Sequence, residues 1–280
     1  MKKIDIKRII KNKSPRLLKV LPNFLLNYMK RILHEEELNA FLYQTKDSFG
    51  HDFVNASIQT LQMNVVSEGM ENIPKEGGCI IACNHPLGGV DGIVVIHEVS
   101  KIRKDIKMIV NDILLNLENL NSLFIPVNKY QKNSIQSMKQ IDLAYEMNEC
   151  IIVFPAGLVS RKQKGVIKDL DWKKSFITKA IKYKHNIIPM HIDARNSNFF
   201  YNLALFRKFI GIKVNIEMFY LVDEVFKQKG KRLKITTGKP IEYKKFTKKY
   251  SPQYWAEKVK EQVYNLGKQL KKIPNSKLIN

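Results

Sequence analysis

The run "CIIACNHPLGGVDG", Cys79 to Gly92, sets a histidine and an aspartate six positions apart around two adjacent glycines, directly after an apolar stretch. An imidazole takes up a proton near neutral pH, and a carboxylate on its second nitrogen fixes the tautomer and stabilises the imidazolium that forms. Residues six apart do not share a face of one regular helix, so Gly88 and Gly89 must turn the backbone to bring Asp91 back to His85. Apart from Ser160 and the strand-end Cys83, no serine or cysteine stands beside His85, which favours a base acting directly on a substrate hydroxyl or amine over a covalent enzyme intermediate. A second loop, "FPAGLVSRK", follows the apolar run "CIIV" and offers Arg161 and Lys162, with Lys164 close behind, as cations for an acidic substrate group.

These loops need elements to hold them. From about residue 63 the chain alternates short Ile- and Val-rich runs with longer amphipathic segments: "CIIAC" (79–83), "KMIV" (107–110), "SLFIPV" (122–127), "CIIVF" (150–154), "IIPMHI" (187–192), "VNIEMFYLV" (214–222) and "LKITT" (233–237). Near-continuous apolar strands separated by helices imply an α/β fold, a mostly parallel sheet covered on both faces by helices. The last two runs are expected to pair antiparallel, making the sheet mixed. In such a sheet ligands gather beyond the carboxyl ends of the strands, so both unusual loops are expected in one cleft.

Residues 1–62 read as an N-terminal helical region and 63–280 as the main domain. Within 15–33 the apolar residues gather near one helical face, with Arg16, Lys19, Lys30 and Arg31 elsewhere and Pro22 dividing the segment. This is either a helix lying on a membrane surface or one docked on the core. The aromatic-rich 193–211 stretch lines a channel for an apolar substrate or packs the core. Ser251 and Pro252 start a C-terminal amphipathic helix.

Lys and Arg outnumber Asp and Glu by 48 to 26, a net charge of +22. Nucleic acid, an anionic membrane or an acidic carrier protein would each suit that excess. A nucleic-acid binder leaves the paired loops unexplained, and no zinc-finger or helix-turn-helix spacing appears. The three cysteines sit in or beside apolar runs, as small buried hydrophobes in a reducing compartment. His191 and Asp193 alternate on an apolar strand and are not expected to bind metal. No apolar window is long enough to span a bilayer.

The two loops, with "IIPMHI" and "TTGKPI", resemble the glycerolipid acyltransferase family over about residues 60 to 245. The likeness is closest to the bacterial branch reading NHPxGGxxG, which includes acyltransferases completing amino-acid lipids. The resemblance implies an enzyme moving a fatty acyl chain from acyl carrier protein or acyl-CoA to the hydroxyl of a lyso-lipid, with no cofactor and no metal. It places the catalytic base at His85 and its acid at Asp91. Substrate binding falls on Asn84, Gly88, Gly89, on Lys129 in the middle block "LFIPVNKY", and on Phe154, Pro155, Ala156, Gly157, Ser160 and Arg161 in the phosphate-binding block. Backbone amides of the glycine loop are expected to stabilise the oxyanion. The implied location is cytoplasmic, on the inner face of the cytoplasmic membrane.

Ala156 stands where the family usually has glutamate, Val159 where many members have arginine, and Asn128 and Lys129 where arginine is usual; five residues rather than four separate His85 from Asp91. Fewer arginine forks favour an acceptor without a phosphomonoester. A lysophospholipid hydrolase is the rival within lipid chemistry.

Overall fold

The computed structural model describes residues 4–13, 15–127 and 135–270. Helices α1 (Ile6–Lys13), α2 (Pro15–Val20), α3 (Asn23–Ile32), α4 (Glu35–Gln44) and α5 (His51–Thr60) precede the sheet. The break between α2 and α3 falls at Leu21 and Pro22, where the proline ring cannot continue a helix. α3 buries Leu26 but leaves Phe24 exposed, so its apolar residues divide between core and surface.

The remaining elements are β1 (Asn64–Glu68), β2 (Cys79–Cys83), α6 (Gly89–Val99), β3 (Ile106–Asn111), β4 (Phe124–Val127), α7 (Ile135–Glu146), β5 (Cys150–Val153), β6 (Arg161–Gln163), β7 (Val166–Lys168), α8 (Ser175–Tyr183), β8 (Asn186–Asp193), α9 (Asn198–Phe209), α10 (Leu221–Phe226), β9 (Arg232–Thr237) and α11 (Pro252–Leu270). Among the described residues, seven strands form one sheet in the order β1-β9-β8-β2-β5-β3-β4. Every neighbouring pair is parallel except β8 with β9. The fold is therefore α/β with a mixed, mostly parallel sheet.

Strand β2 shows why its sequence is apolar throughout. Successive side chains point to opposite faces. Cys79, Ile81 and Cys83 join the layer containing Phe53, Val54 and Ile58 of α5 and Val94 and Val95 of α6. Ile80 and Ala82 join the other layer, with Tyr145 of α7, Ile177 of α8 and Val259 of α11. Each fully buried isoleucine contributes about 1.5–3 kcal/mol relative to exposure. All three cysteines are free and buried, Cys79 and Cys150 facing each other on adjacent strands at 3.6 Å.

The antiparallel partner of β9 differs from expectation. Residues 214–222 are not a strand: Ile216–Tyr220 is a 3₁₀ turn leading into α10, and β8 pairs with β9 instead. The alternating pattern there hides a carboxylate, Glu217, that is fully buried against two guanidinium groups. The tertiary demand of that ion pair overrides the local β pattern. Strand β1 lies outside the expected apolar runs; it is a half-buried edge strand with polar ends. Among the described residues no helix is long and apolar enough to cross a membrane.

Candidate active site

Parallel pairing of β2 with β5 sets Ala82 beside Val153, so the loops leaving both strands emerge side by side at the carboxyl edge. They are tied together at several points. The Ser160 N–H donates to the His85 carbonyl at 2.7 Å, and the rings of His85 and Phe154 stack with centroids 4.5 Å apart.

Gly88 makes the reversal between His85 and Asp91. Its φ of 98° lies where side-chain-bearing residues are strained, and an added Cβ would come within 3.2 Å of Val159 Cγ1 on the second loop. Gly89 is already helical, the first residue of α6, and the space around a Cβ there is open. Asp91 then lies in the first helical turn, where the helix dipole favours a negative charge.

Asp91 Oδ2 accepts from His85 Nδ1 at 2.9 Å and from the N–H groups of Leu87 and Gly88, each at 2.9 Å. These contacts fix the imidazole with Nε2 as the ring nitrogen left for substrate, on a side chain that keeps 19% of its surface exposed. Burial holds the Asp91 carboxyl above its ordinary value, against the pull of His85 and the two amides. The Leu87 and Gly88 amides are thereby committed to Asp91.

Asp169, outside both motif loops, lies beneath them. Its Oδ1 accepts the His85 backbone N–H at 3.2 Å and the Ser160 hydroxyl at 2.6 Å, and its Oδ2 accepts Trp172 Nε1–H at 2.9 Å. Its own N–H donates to the Tyr264 hydroxyl of α11 at 2.7 Å. The Ser160 hydroxyl is thus committed to Asp169. Burial, with Asp91 and Asp169 nearby, pushes the Cys83 thiol well above its usual range, so neither side chain offers a ready nucleophile.

The other expected residues have distinct places. Asn84 gives both ends of its amide to Ile192, donating to its carbonyl at 3.0 Å and accepting its N–H at 2.7 Å, which ties the end of β2 to β8. Arg161 is buried, donating to Glu217 Oε1 at 3.1 Å and to the Val159 carbonyl at 3.2 Å; burial and neighbouring Arg207 lower its pKa. Pro155 accepts the Lys173 N–H at 3.0 Å through its carbonyl, and Ala156 packs into the layer containing Trp172. At Gly157 an added Cβ would lie 3.5 Å from Lys173 Nζ, bringing a cation to the second loop that the motif does not contain. Asn128 and Lys129 lie outside the described residues. His191 packs edge-on against Tyr264 and under Gly267 of α11, whose lack of a side chain permits that approach.

Asp169, Glu217 and Lys173 lie outside the residues that the sequence motifs mark. Each meets the site by tertiary approach, and none sits in a recognisable spacing.

The described residues set a histidine–carboxylate pair at the carboxyl edge of a mixed α/β sheet. The sequence matches the family described as Acyltransferase over residues 8–272, and the chain belongs to that family. It is 44% identical over 264 residues to the lyso-glycine lipid O-acyltransferase of Bacteroides thetaiotaomicron, covering 94% of this chain and 97% of that protein. The lyso-glycine lipid O-acyltransferase of Phocaeicola vulgatus is likewise 44% identical over 264 residues, covering 94% of this chain and 95% of the relative. The crystal structure of the 1-acyl-sn-glycerophosphate acyltransferase PlsC from Thermotoga maritima aligns with a TM-score of 0.48 at 18% identity, over 94% of this chain and 93% of that one.

Proposed function

We propose that the protein transfers a fatty acyl group from acyl carrier protein or acyl-CoA to the hydroxyl of a lyso-amino-acid lipid, with a lyso-glycine lipid as the first candidate. His85 Nε2 takes the hydroxyl proton as the oxygen attacks the thioester carbonyl. The tetrahedral intermediate then collapses, the C–S bond breaks, and the imidazolium returns its proton to the departing thiolate, giving an ester and a free thiol. A positioned base supplies about a hundred- to ten-thousand-fold, and the rest comes from holding both substrates in register. The observation that carries this reading is the Asp91 carboxylate, buried and bound to His85 Nδ1 at 2.9 Å, which leaves the opposite nitrogen to act.

The acceptor assignment is supported by the name of two relatives at 44% identity and by the loop chemistry. Arg161, expected to meet the acceptor, already has a carboxylate partner in Glu217. Lys173 beside Gly157 is proposed as the cation that meets the acceptor carboxylate, with Lys129 as a second. A single ammonium holds one carboxylate well but lacks the fork that grips a phosphomonoester. The basic N-terminal region, 1–62, is proposed to rest on the anionic inner face of the cytoplasmic membrane, each lysine or arginine near the surface contributing about 1 kcal/mol.

The test is a side-by-side assay of purified enzyme with one acyl donor and two acceptors, a lyso-glycine lipid and lysophosphatidate. The expected result is a higher kcat/KM for the lyso-glycine lipid. Preference for lysophosphatidate overturns the acceptor assignment, and release of free fatty acid with neither acceptor acylated makes the protein a hydrolase.

A further inference from the structure

Helix α9 is capped by Ser197, whose hydroxyl accepts the Phe200 N–H at 3.2 Å, and turns Phe200, Tyr201, Ala204 and Arg207 inward. Toward its carboxyl end its outer face, and the turn beyond it, carry a cluster of exposed apolar side chains. Phe206 is 58% exposed, Phe209 88% and Val214 64%, with Leu205, Ile210 and Ile212 exposed between them. Isolated exposed apolar residues are ordinary; a contiguous run of this size at a chain reversal marks an interaction surface.

The reversal is stiff. Gly211 supplies the turn at φ +76°, and Arg207, buried below it, donates from Nη1 to the Ile212 carbonyl at 2.8 Å and to the Lys213 carbonyl at 3.3 Å. Arg207 Nε donates to Glu217 Oε2 at 2.8 Å, while Glu217 Oε1 receives Arg161 from the second loop of the active site. One buried carboxylate therefore connects the exposed tip to the candidate site. The 3₁₀ turn bearing Glu217 also meets α3, through Tyr28 and Tyr220 hydroxyls 2.8 Å apart, and α3 carries exposed Phe24.

We propose that residues 205–214 form a wedge that inserts into the headgroup and acyl boundary of an anionic lipid bilayer and seats the active-site loop against the lipid phase. Charge argues for this occupant: the segment 198–216 contains no aspartate or glutamate, and Lys208 and Lys213 are exposed beside the apolar tip. Aromatic and aliphatic side chains flanked by lysines match the two chemistries of a membrane interface, an apolar boundary and anionic headgroups. An acidic carrier protein would meet mainly hydrocarbon here. The inference deepens the proposed lipid-acylating role, yet its test needs no turnover, so either can fail without the other.

The buried positions of Cys79, Cys83 and Cys150 make a site-directed probe selective. Phe209→Cys is labelled with a polarity-sensitive thiol dye, and Lys104→Cys, exposed ahead of β3 at the amino end of the strands, is the control. With phosphatidylglycerol-containing vesicles the dye at position 209 should shift to the blue, the dye at 104 should not, and added salt should reduce the shift. Replacing Phe206 and Phe209 together by Ser should weaken cosedimentation of the otherwise unmodified protein about tenfold or more, with an unchanged circular dichroism spectrum. No shift at 209 with these vesicles overturns the proposal, whether the protein binds them by another face or not at all. A shift elicited by acidic acyl carrier protein in place of vesicles overturns it as well. Turnover of a short-chain acceptor, dispersed as monomers, reports separately on the catalytic reading.

Discussion

The carboxylate of Asp169 accepts the backbone N–H of His85 at 3.2 Å, from a position in the chain that belongs to neither motif loop. Because the same oxygen holds the Ser160 hydroxyl, Asp169 fixes the distance between His85 and the second loop.

Asp169→Asn turns one acceptor into a donor facing the donors of His85, Ser160 or Trp172. Loosening of a reacting geometry by about 1 Å costs on the order of a hundredfold, so kcat should fall by about that factor while the acceptor KM changes little. The pH dependence of kcat should keep its shape, since His85 retains Asp91. Steady-state kinetics across pH check this; a fall carried entirely by KM would make Asp169 a binding element.

Glu217 is fully buried between Arg161 and Arg207. Removing one member of such a group leaves uncompensated charge, and Glu217→Ala should lower unfolding free energy by about 3–5 kcal/mol. Urea denaturation followed by circular dichroism measures it. A loss below about 1 kcal/mol, the range of an exposed pair, would show that the two guanidinium groups are solvated.

Much of this arrangement is legible in the chain itself. Apolar runs such as "CIIAC" and "CIIV" are two-face-buried strands, and their parallel pairing brings the two loops together as strand-end logic requires. His85 and Asp91 meet because Gly88 adopts a conformation that a glycine pair advertises. What was hidden depends on distant approach. Nothing local marks Glu217 as the centre of a buried ion pair, so its neighbours read as a strand. The basic residue Arg161 reads as a substrate cation until its carboxylate partner, 56 positions away, is seen. Tyr264 reaches Asp169 across 95 positions, a contact that no spacing rule anticipates.

Lys173→Gln should raise the acceptor KM about tenfold while leaving kcat within about threefold, since a charge holding the acceptor contributes to ground state and transition state alike. The effect should be larger for a carboxylate-bearing lyso-lipid than for an uncharged one. An equal change for both acceptors would place Lys173 outside acceptor recognition.

Stability should also depend on pH through His185 and His97. Burial lowers the pKa of both, with Lys101 adding to the effect at His97. The unfolded chain then binds protons first, near its ordinary value of about 6.5. Stability is therefore full above that pH and declines as pH falls from about 6.5 toward the folded values. His185→Gln should flatten this acid-side slope in denaturation curves collected at several pH values. An unchanged slope would assign the proton uptake to other groups.

The central claim is that His85 removes the acceptor proton, and transfer by His85→Gln tests it most directly. Acylation of a lyso-glycine lipid is followed by release of free thiol from the acyl donor, with folding checked by circular dichroism. The account predicts a loss of at least about a hundredfold in kcat, the contribution of a positioned general base, with the fold intact. Transfer within about tenfold of the parent would contradict it and assign proton removal to another group.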